Sequence, residues 1–127
     1  MAVSNFDSKN VAVLLGNGDG SFQLASFVAI GSYLEGIVAA DFGNNGIIDL
    51  VVGDNGSNNI ALLVGKGDGT FNSAQFIAVG SYAAGIVAAD FNGDDKADLA
   101  VTNTYSNNVA ILINDSTSAS RGVHFLN

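Results

Sequence analysis

The chain has 127 residues, the length of one domain or of a piece of one, and apolar residues make up 48% of it, enough for a hydrophobic core. Its formal net charge is −8 and its four basic residues are scattered, so nucleic acid and anionic membranes are not expected as partners. The sequence lacks cysteine, which excludes disulfides, thiolate metal sites and cysteine nucleophiles, and it has no window apolar enough for a membrane span.

The acidic residues are almost all aspartates. Eleven of the twelve are Asp, the exception being Glu35. Asp is favoured in turns and in loops of oxygen ligands, whereas helices favour Glu, so we expect the acids between strands. Residues 1–10 show neither the charged nor the apolar region of a signal peptide.

A stretch of 49 residues occurs twice in succession. Residues 11–59 and 60–108 align without a gap, and 26 of the 49 positions are identical. A partial copy precedes them, since residues 2–10 resemble residues 100–108. A period of this length is typical of solenoids, propellers and arrays.

Each unit is predicted to contain four short strands. In the second unit, apolar runs occupy residues 60–65, 76–80, 85–91 and 97–103, with turn-forming residues between them and no sustained helical periodicity. Four antiparallel strands in about fifty residues is the size of one propeller blade. The fold class predicted is therefore all-β, built from β-propeller blades.

The repeat is out of phase with the chain. We expect three strands within residues 2–30, a complete blade within 36–80 and three strands within 85–114, which is about two and a half blades. The blades thus occupy residues 1–114. Residues 115–127 are predicted to be a tail that is flexible or adds a further strand.

The apolar residues of the predicted strands are consecutive rather than alternating, as at 37–40. Such strands are covered on both faces. Small side chains recur on one strand of each unit, which suits an inner strand crowded against its neighbours, although Ala and Gly are also frequent in the chain. These small residues are Gly36, Ala39, Ala40, Gly85, Ala88 and Ala89.

The second unit carries oxygen ligands at alternating positions of a loop, residues 90–98. Calcium takes six to eight oxygen ligands, and a divalent cation relieves the repulsion among three carboxylates in one loop. We therefore predict a calcium site here, with a metal-free turn as the alternative. Asp95 occupies the place where glycine would ease the sharp bend. The predicted ligands are Asp90, Asn92, Asp94, Lys96 through its carbonyl, and Asp98.

The first unit has a depleted copy of this loop at residues 41–49. Gly43 replaces one ligand, so two carboxylates remain and weaker binding, completed by water, is expected. A metal-free turn is again the alternative. The matching donors are Asp41, Asn45, the carbonyl of Ile47, and Asp49.

Two further acidic segments, GNGDG at 16–20 and GKGDG at 65–69, carry Asp19 and Asp68 between glycines. Glycine supplies the positive φ that a tight turn needs. Neither segment continues as a phosphate-binding loop. Both are predicted to be tight hairpins rather than ligand sites.

Three motifs together resemble the FG-GAP/VCBS repeat: DFNGDDKADLAV at 90–101, SNNVAIL at 106–112 and GDGTF at 67–71. The resemblance covers the chain to about residue 114. It implies β-propeller blades like those of integrin heads, fungal lectins and bacterial surface proteins, calcium in the DxNxDxxxD loop, and an extracellular or cell-surface location. The prolines usual near that loop, and the tryptophan on which lectin members stack sugars, are absent here.

The leading functional hypothesis is a non-enzymatic, calcium-stabilised propeller scaffold. The alternative is a module that binds a glycan or a protein through aromatic residues in loops, although packing between repeats also explains the tyrosines of the two GSY motifs. A glycosidase would need Glu35, Asp54 or both to act in a cleft, and His124 lies alone in the tail, so catalysis is not expected. The tyrosines concerned are Tyr33, Tyr82 and Tyr105.

The number of blades also predicts how the chain assembles. Propellers close with about four to eight blades, and two or three blades alone leave open edges and apolar faces. The sequence therefore predicts either a piece of a longer protein or a homo-oligomer whose chains complete a ring together, with blades completed between chains.

Overall fold

The computed structural model describes residues 1–116 and 123–126, and these residues form short strands without a helix. It follows that none of them belongs to a helix able to cross a membrane. The strands are β1 (Ala2–Asn5), β2 (Asn10–Val13), β3 (Ser26–Ala29), β4 (Leu34–Ala40), β5 (Asp49–Asp54), β6 (Asn59–Leu63), β7 (Gln75–Ala78), β8 (Ala83–Ala89), β9 (Asp98–Asn103), β10 (Asn108–Asn114) and β11 (Phe125–Leu126).

The strands form three antiparallel sheets, each a meander of consecutive strands. Sheet I has the order β1-β2-β3, sheet II the order β4-β5-β6-β7, and sheet III the order β8-β9-β10-β11. The all-β prediction is confirmed, and the described sheets form an open array rather than a closed ring.

Sheet III contains the three strands expected within residues 85–114 and a fourth strand from the tail. The additional strand is β11, which pairs with the end of β10 through Ile113↔Leu126 and Asn114↔Phe125. It lies in the predicted tail, and residues 117–122 and 127 of that tail are outside the described residues.

Sheet II is the centre of the molecule because both of its faces are covered. All six residues of β5 are buried, as its consecutive apolar residues predict. Between sheets I and II lies core 1, which comprises Val11, Val13, Leu34, Leu50, Val52 and Leu63. Between sheets II and III lies core 2, which comprises Phe42, Val51, Ile60, Leu62, Ala83, Leu99, Val101, Leu112 and Val123.

The innermost strands β4 and β8 approach each other closely. A Cβ atom on Gly36 would lie 2.3 Å from the carbonyl oxygen of Ala84, and one on Gly53 would lie 2.3 Å from that of Ala83. A side chain at either glycine would therefore push sheet III away from sheet II. The crowding expected for the small residues of the inner strands is present at Gly36, whereas Ala39, Gly85 and Ala89 are exposed.

Phe42 packs between sheet II and sheet III and contributes to holding them together. It follows β4, is fully buried, and contacts Phe125 edge-to-face with ring centroids 5.5 Å apart. Its carbonyl oxygen accepts a hydrogen bond of 2.7 Å from the side-chain amide of Asn114. The repeat places Phe91 at the equivalent position after β8, where its side chain is 47% exposed.

The corresponding place between sheets I and II is a cleft of about 510 Å³. Its lining includes Leu50 and Gly65, which the repeat relates to Leu99 and Asn114 beside Phe42. The contact between sheets I and II is therefore less completely filled than the contact between sheets II and III.

The two repeated phenylalanines provide a matched test of this packing. Phe42→Ala is expected to lower the free energy of unfolding by about 3–5 kcal/mol because it leaves a cavity in core 2. Phe91→Ala should lower it by less than about 1 kcal/mol because that side chain is half exposed. Urea unfolding of dilute protein measures both values. Equal losses for the two variants would contradict the assignment of Phe42 as the residue that joins the sheets.

Candidate metal loops and the residues around them

The two candidate loops occupy the same place in successive sheets. Residues 41–49 join β4 to β5, and residues 90–98 join β8 to β9, so each loop connects the innermost strand to the next. Each has left-handed backbone at its fourth and sixth positions, which are Asn44 and Gly46 in the first loop and Gly93 and Asp95 in the second. Asp95 therefore adopts the φ expected of the glycine that it replaces.

Asp90 organises its loop by accepting hydrogen bonds from the backbone. Its Oδ1 accepts from the N–H groups of Gly93 at 2.7 Å and Asp94 at 3.2 Å, and its Oδ2 accepts from that of Asp95 at 2.9 Å. The N–H of Gly93, followed by that of Asp95, holds the pKa of Asp90 below its ordinary value of 3.8. The loop is thus wound around an ionised carboxylate.

The next two predicted ligands continue this winding. Asn92 Oδ1 accepts from the N–H of Asp94, and Asp94 Oδ1 accepts from the N–H of Lys96, both at 3.1 Å. The Lys96 ammonium lies 3.5 Å from Asp94 Oδ2 and partly balances its charge. These side chains are at the surface, where a surface ion pair contributes little to stability.

Asp98, the last predicted ligand, faces the sheet instead of the loop. It is fully buried, its Oδ2 accepts the N–H of Phe91 at 2.8 Å, and its Oδ1 accepts the N–H of Asn114 at 2.8 Å. The carboxylate therefore ties the start of β9 to the loop and to the end of β10. In this structure its role is that of a hydrogen-bonded clamp between strands.

The first loop repeats this arrangement. Asp41 accepts from the N–H groups of Asn45 at 3.0 Å and Gly46 at 2.7 Å, and Asn45 Oδ1 accepts from the N–H of Ile47 at 2.9 Å. Asp49 is buried and accepts from the N–H groups of Phe42 and Gly65, as Asp98 does from those of Phe91 and Asn114. Burial raises the pKa of Asp49, and these N–H groups oppose the rise.

The donors suit calcium chemically, but they do not form a closed site. Within residues 1–116 and 123–126, no three His, Asp or Glu side chains come together as a metal-binding group. Asp90, Asn92 and Asp94 lie on the exposed loop, whereas the carboxylate of Asp98 is buried in the sheet. The calcium sites at both loops remain predictions.

Asn114 is an important residue that the sequence motifs did not single out. Its buried side chain donates to the carbonyl oxygens of Phe42 and Ala97, and its Oδ1 accepts from the N–H of Ser116. The equivalent residues of the repeat are Gly16 and Gly65. The departure from glycine at this repeat position was the signal that could have identified it.

The GDG segments are hairpins, as predicted. Gly18, Gly20, Gly67 and Gly69 all have φ between 86° and 91°. Asp68 Oδ1 accepts from both the N–H and the hydroxyl of Thr70, and these bonds, the hydroxyl first, lower the pKa of Asp68. The aspartate thus stabilises its own turn.

The aromatic residues of the GSY motifs pack within the molecule. Tyr33 lies 5.3 Å from Phe6, and Tyr82 lies 4.6 Å from Tyr105, measured between ring centroids. The hydroxyl of Tyr82 donates to Glu35 Oε1 at 3.3 Å and so links sheet III to sheet II. These contacts favour the interpretation that the tyrosines join repeats.

The carboxylates considered for catalysis are also engaged in structure. Glu35 accepts from Tyr82 and from the side-chain amide of Asn55. Asp54 is buried and accepts from the N–H of Ser32 at 2.8 Å and from the hydroxyl of Ser57. His124 contacts Asp115 beside β11.

The role of Asp90 predicts a pH dependence. Because its folded-state pKa is lowered, its ionised form stabilises the fold above about pH 4, and this contribution is lost as the pH falls through the lowered pKa. Asp90→Asn should therefore show a smaller loss of stability between about pH 4 and pH 2 in urea unfolding with a chelator present. Asp95→Asn, which removes the neighbouring charge, should keep the wild-type profile. Identical profiles for the two variants would contradict this role.

Comparison with known families gives one match. Residues 41–101, which include both loops and extend from Asp41 into β9, match the sequence model of the FG-GAP-like repeat. No similar curated protein and no similar solved structure was found. The resemblance inferred from the DFNGDDKADLAV, SNNVAIL and GDGTF motifs is confirmed, and residues 41–101 of the chain are an FG-GAP-like repeat.

Proposed function

We propose that the chain is a non-enzymatic, propeller-type scaffold whose loop 90–98 is stabilised by calcium. The observation that carries the scaffold is the face-to-face stacking of three repeated sheets around the doubly covered sheet II. The FG-GAP-like match over residues 41–101 supports a propeller-type module. The extracellular or cell-surface location expected of the family is part of this proposal.

The hydrogen bonds that the acidic residues accept within the fold support a structural role for these residues. Asp49, Asp54 and Asp98 are buried and accept hydrogen bonds that join neighbouring segments. Glu35 is bonded across two sheets. The acids that a hydrolase would need are thus committed to holding strands and turns together.

Calcium would be held by Asp90, Asn92, Asp94 and the carbonyl of Lys96. Asp98 retains acceptor capacity because a carboxylate has about four lone-pair sites and two of them are used here. When bound, the cation would neutralise clustered negative charge in a chain of net charge −8. The loop 41–49 would bind more weakly, through Asp41, Asn45, the carbonyl of Ile47, and Asp49.

Substitution of Asp94 and of Asp98 distinguishes calcium binding by the loop from the hydrogen-bonded clamp between strands. The wild-type melting temperature should rise with calcium relative to a chelator, since a ligand at a hundred times its Kd stabilises by about 2.7 kcal/mol. Asp94→Ala should remove most of this rise, leaving only the weaker contribution of loop 41–49, and should melt close to wild type in the chelator. Asp98→Ala should destabilise under both conditions, because each buried N–H left without an acceptor costs about 1–3 kcal/mol.

The controls decide between the two roles. A wild-type melting temperature that calcium and chelator leave unchanged would remove the metal from the proposal. Asp98→Ala melting like wild type in the chelator would show that its hydrogen bonds to Phe91 and Asn114 are not a clamp.

A second candidate function is the binding of a glycan or a protein at the tyrosine-bearing turns. The observation that favours it is the exposure of Tyr105, 71% in the turn between β9 and β10, although the ring also stacks on Tyr82. Aromatic rings in loops serve as stacking platforms and interface anchors. Binding on a glycan array that Tyr105→Ala abolishes would support this function, and an array without binding would contradict its glycan form.

A further inference from the structure

The outer face of sheet III is apolar and exposed. Its side chains include Val87 and Val109, which are 57% and 56% exposed, and the register places Val87, Ala100 and Ile111 side by side on three strands. We call this surface the end face. It comprises Val87, Phe91, Ala100, Val109, Ile111 and Leu126.

The end-face residues that precede the break in the repeat each have a copy 49 positions earlier that is used inside the molecule. The copies all belong to core 2 or pack directly against it, on the side of sheet II that meets sheet III. The end face thus repeats the chemistry of a surface already engaged in a sheet-to-sheet contact. These copies are Val38, Phe42, Val51, Ile60 and Leu62.

The outer face of sheet I is the other half of the same contact. The register aligns Val3, Ala12 and Phe27 across its three strands, and Phe27 is 65% exposed. We call this surface the start face. Its copies 98 positions later lie on the side of sheet III that meets sheet II, in or against core 2. They are Val101 for Val3 and Ala110 for Ala12.

We propose that the end face of one chain docks on the start face of a second copy and reproduces the contact between sheets II and III. Large exposed apolar patches on soluble proteins mark interaction sites. A second copy is the partner because the molecule carries both halves of a contact that it already forms internally. The inference rests on the proposed scaffold function and names its partner.

The repeat also predicts the central contact of this interface. Phe91 of one copy would pack against sheet I of the other, as Phe42 packs in core 2 within the chain. The amide of Asn114 that holds the carbonyl of Phe42 has Gly16 as its counterpart on the start face. The contact between copies therefore lacks one hydrogen bond and should be weaker than the internal one.

An interface of two different faces is heterologous, so each copy keeps one free face and assembly continues until a ring closes.

Each copy also carries a net charge of −8, which repels its partner at long range. Because salt screens that repulsion, association should be stronger at about 0.5 M than at about 0.02 M NaCl, as expected for an apolar contact between like-charged molecules.

Sedimentation velocity over a concentration series tests the proposal with three lysine variants. Ile111→Lys blocks the end face, Phe27→Lys blocks the start face, and Thr104→Lys adds the same charge at an exposed turn outside both faces. Far-UV circular dichroism establishes that each variant is folded. Val109→Lys replaces Ile111→Lys if the latter does not fold.

We expect wild type and Thr104→Lys to associate and the two face variants to be monomeric alone. An equimolar mixture of the face variants should form a 1:1 dimer that grows no further, because each supplies the face that the other lacks. Wild type that stays monomeric at millimolar concentration would overturn the proposal. So would a Phe27→Lys variant that still self-associates while Ile111→Lys does not, since that pattern indicates an interface of two end faces.

The sedimentation experiment and the calcium melting experiment can fail independently of each other. A monomeric wild type whose melting temperature still rises with calcium refutes only the docking of copies. A chain that associates as described but does not respond to calcium refutes only the metal role.

Discussion

The packing of apolar sheet faces against one another is the interaction on which the rest of this structure depends. Each meander of three or four short strands has an apolar face that is buried by packing against another sheet. Sheet II is stable because sheets I and III cover both of its faces, and β5 is buried along its whole length. Phe42 and the close approach at Gly36 set the geometry of the contact with sheet III.

The polar residues support this packing from the ends of the strands. Asp49 and Asp98 hold the start of one strand to the end of another through backbone N–H groups, and Asp54 fixes the turn at the opposite end of β5. A buried carboxylate is tolerated only when its oxygens are hydrogen-bonded. The acidic character of the chain is therefore largely a property of its turns and strand ends, and calcium would act on that existing framework.

Much of the fold followed from the sequence because repetition and strand patterning act together. The GDG segments correctly predicted turns with positive φ. The apolar run at 37–40 was predicted to be covered on both faces, but Ala39 is exposed there and complete burial occurs in β5, the central strand between the two cores. Spacing could not say whether Asp98 faces the loop or the sheet, because that depends on the distant N–H of Asn114. For the tail that contains β11, the sequence left a flexible segment and an added strand as alternatives, because its residues follow a break in the repeat and the pairing depends on contact with β10.

Native-state hydrogen exchange tests most directly whether sheet II depends on two covering sheets. In dilute protein, the amides of β5 and β6 should exchange only through global unfolding, and those of the end strands β1, β3 and β11 should exchange through smaller openings. Protection of β1, β3 and β11 equal to that of β5 would contradict the account, because the edges of the singly covered sheets would then be as stable as the doubly covered one.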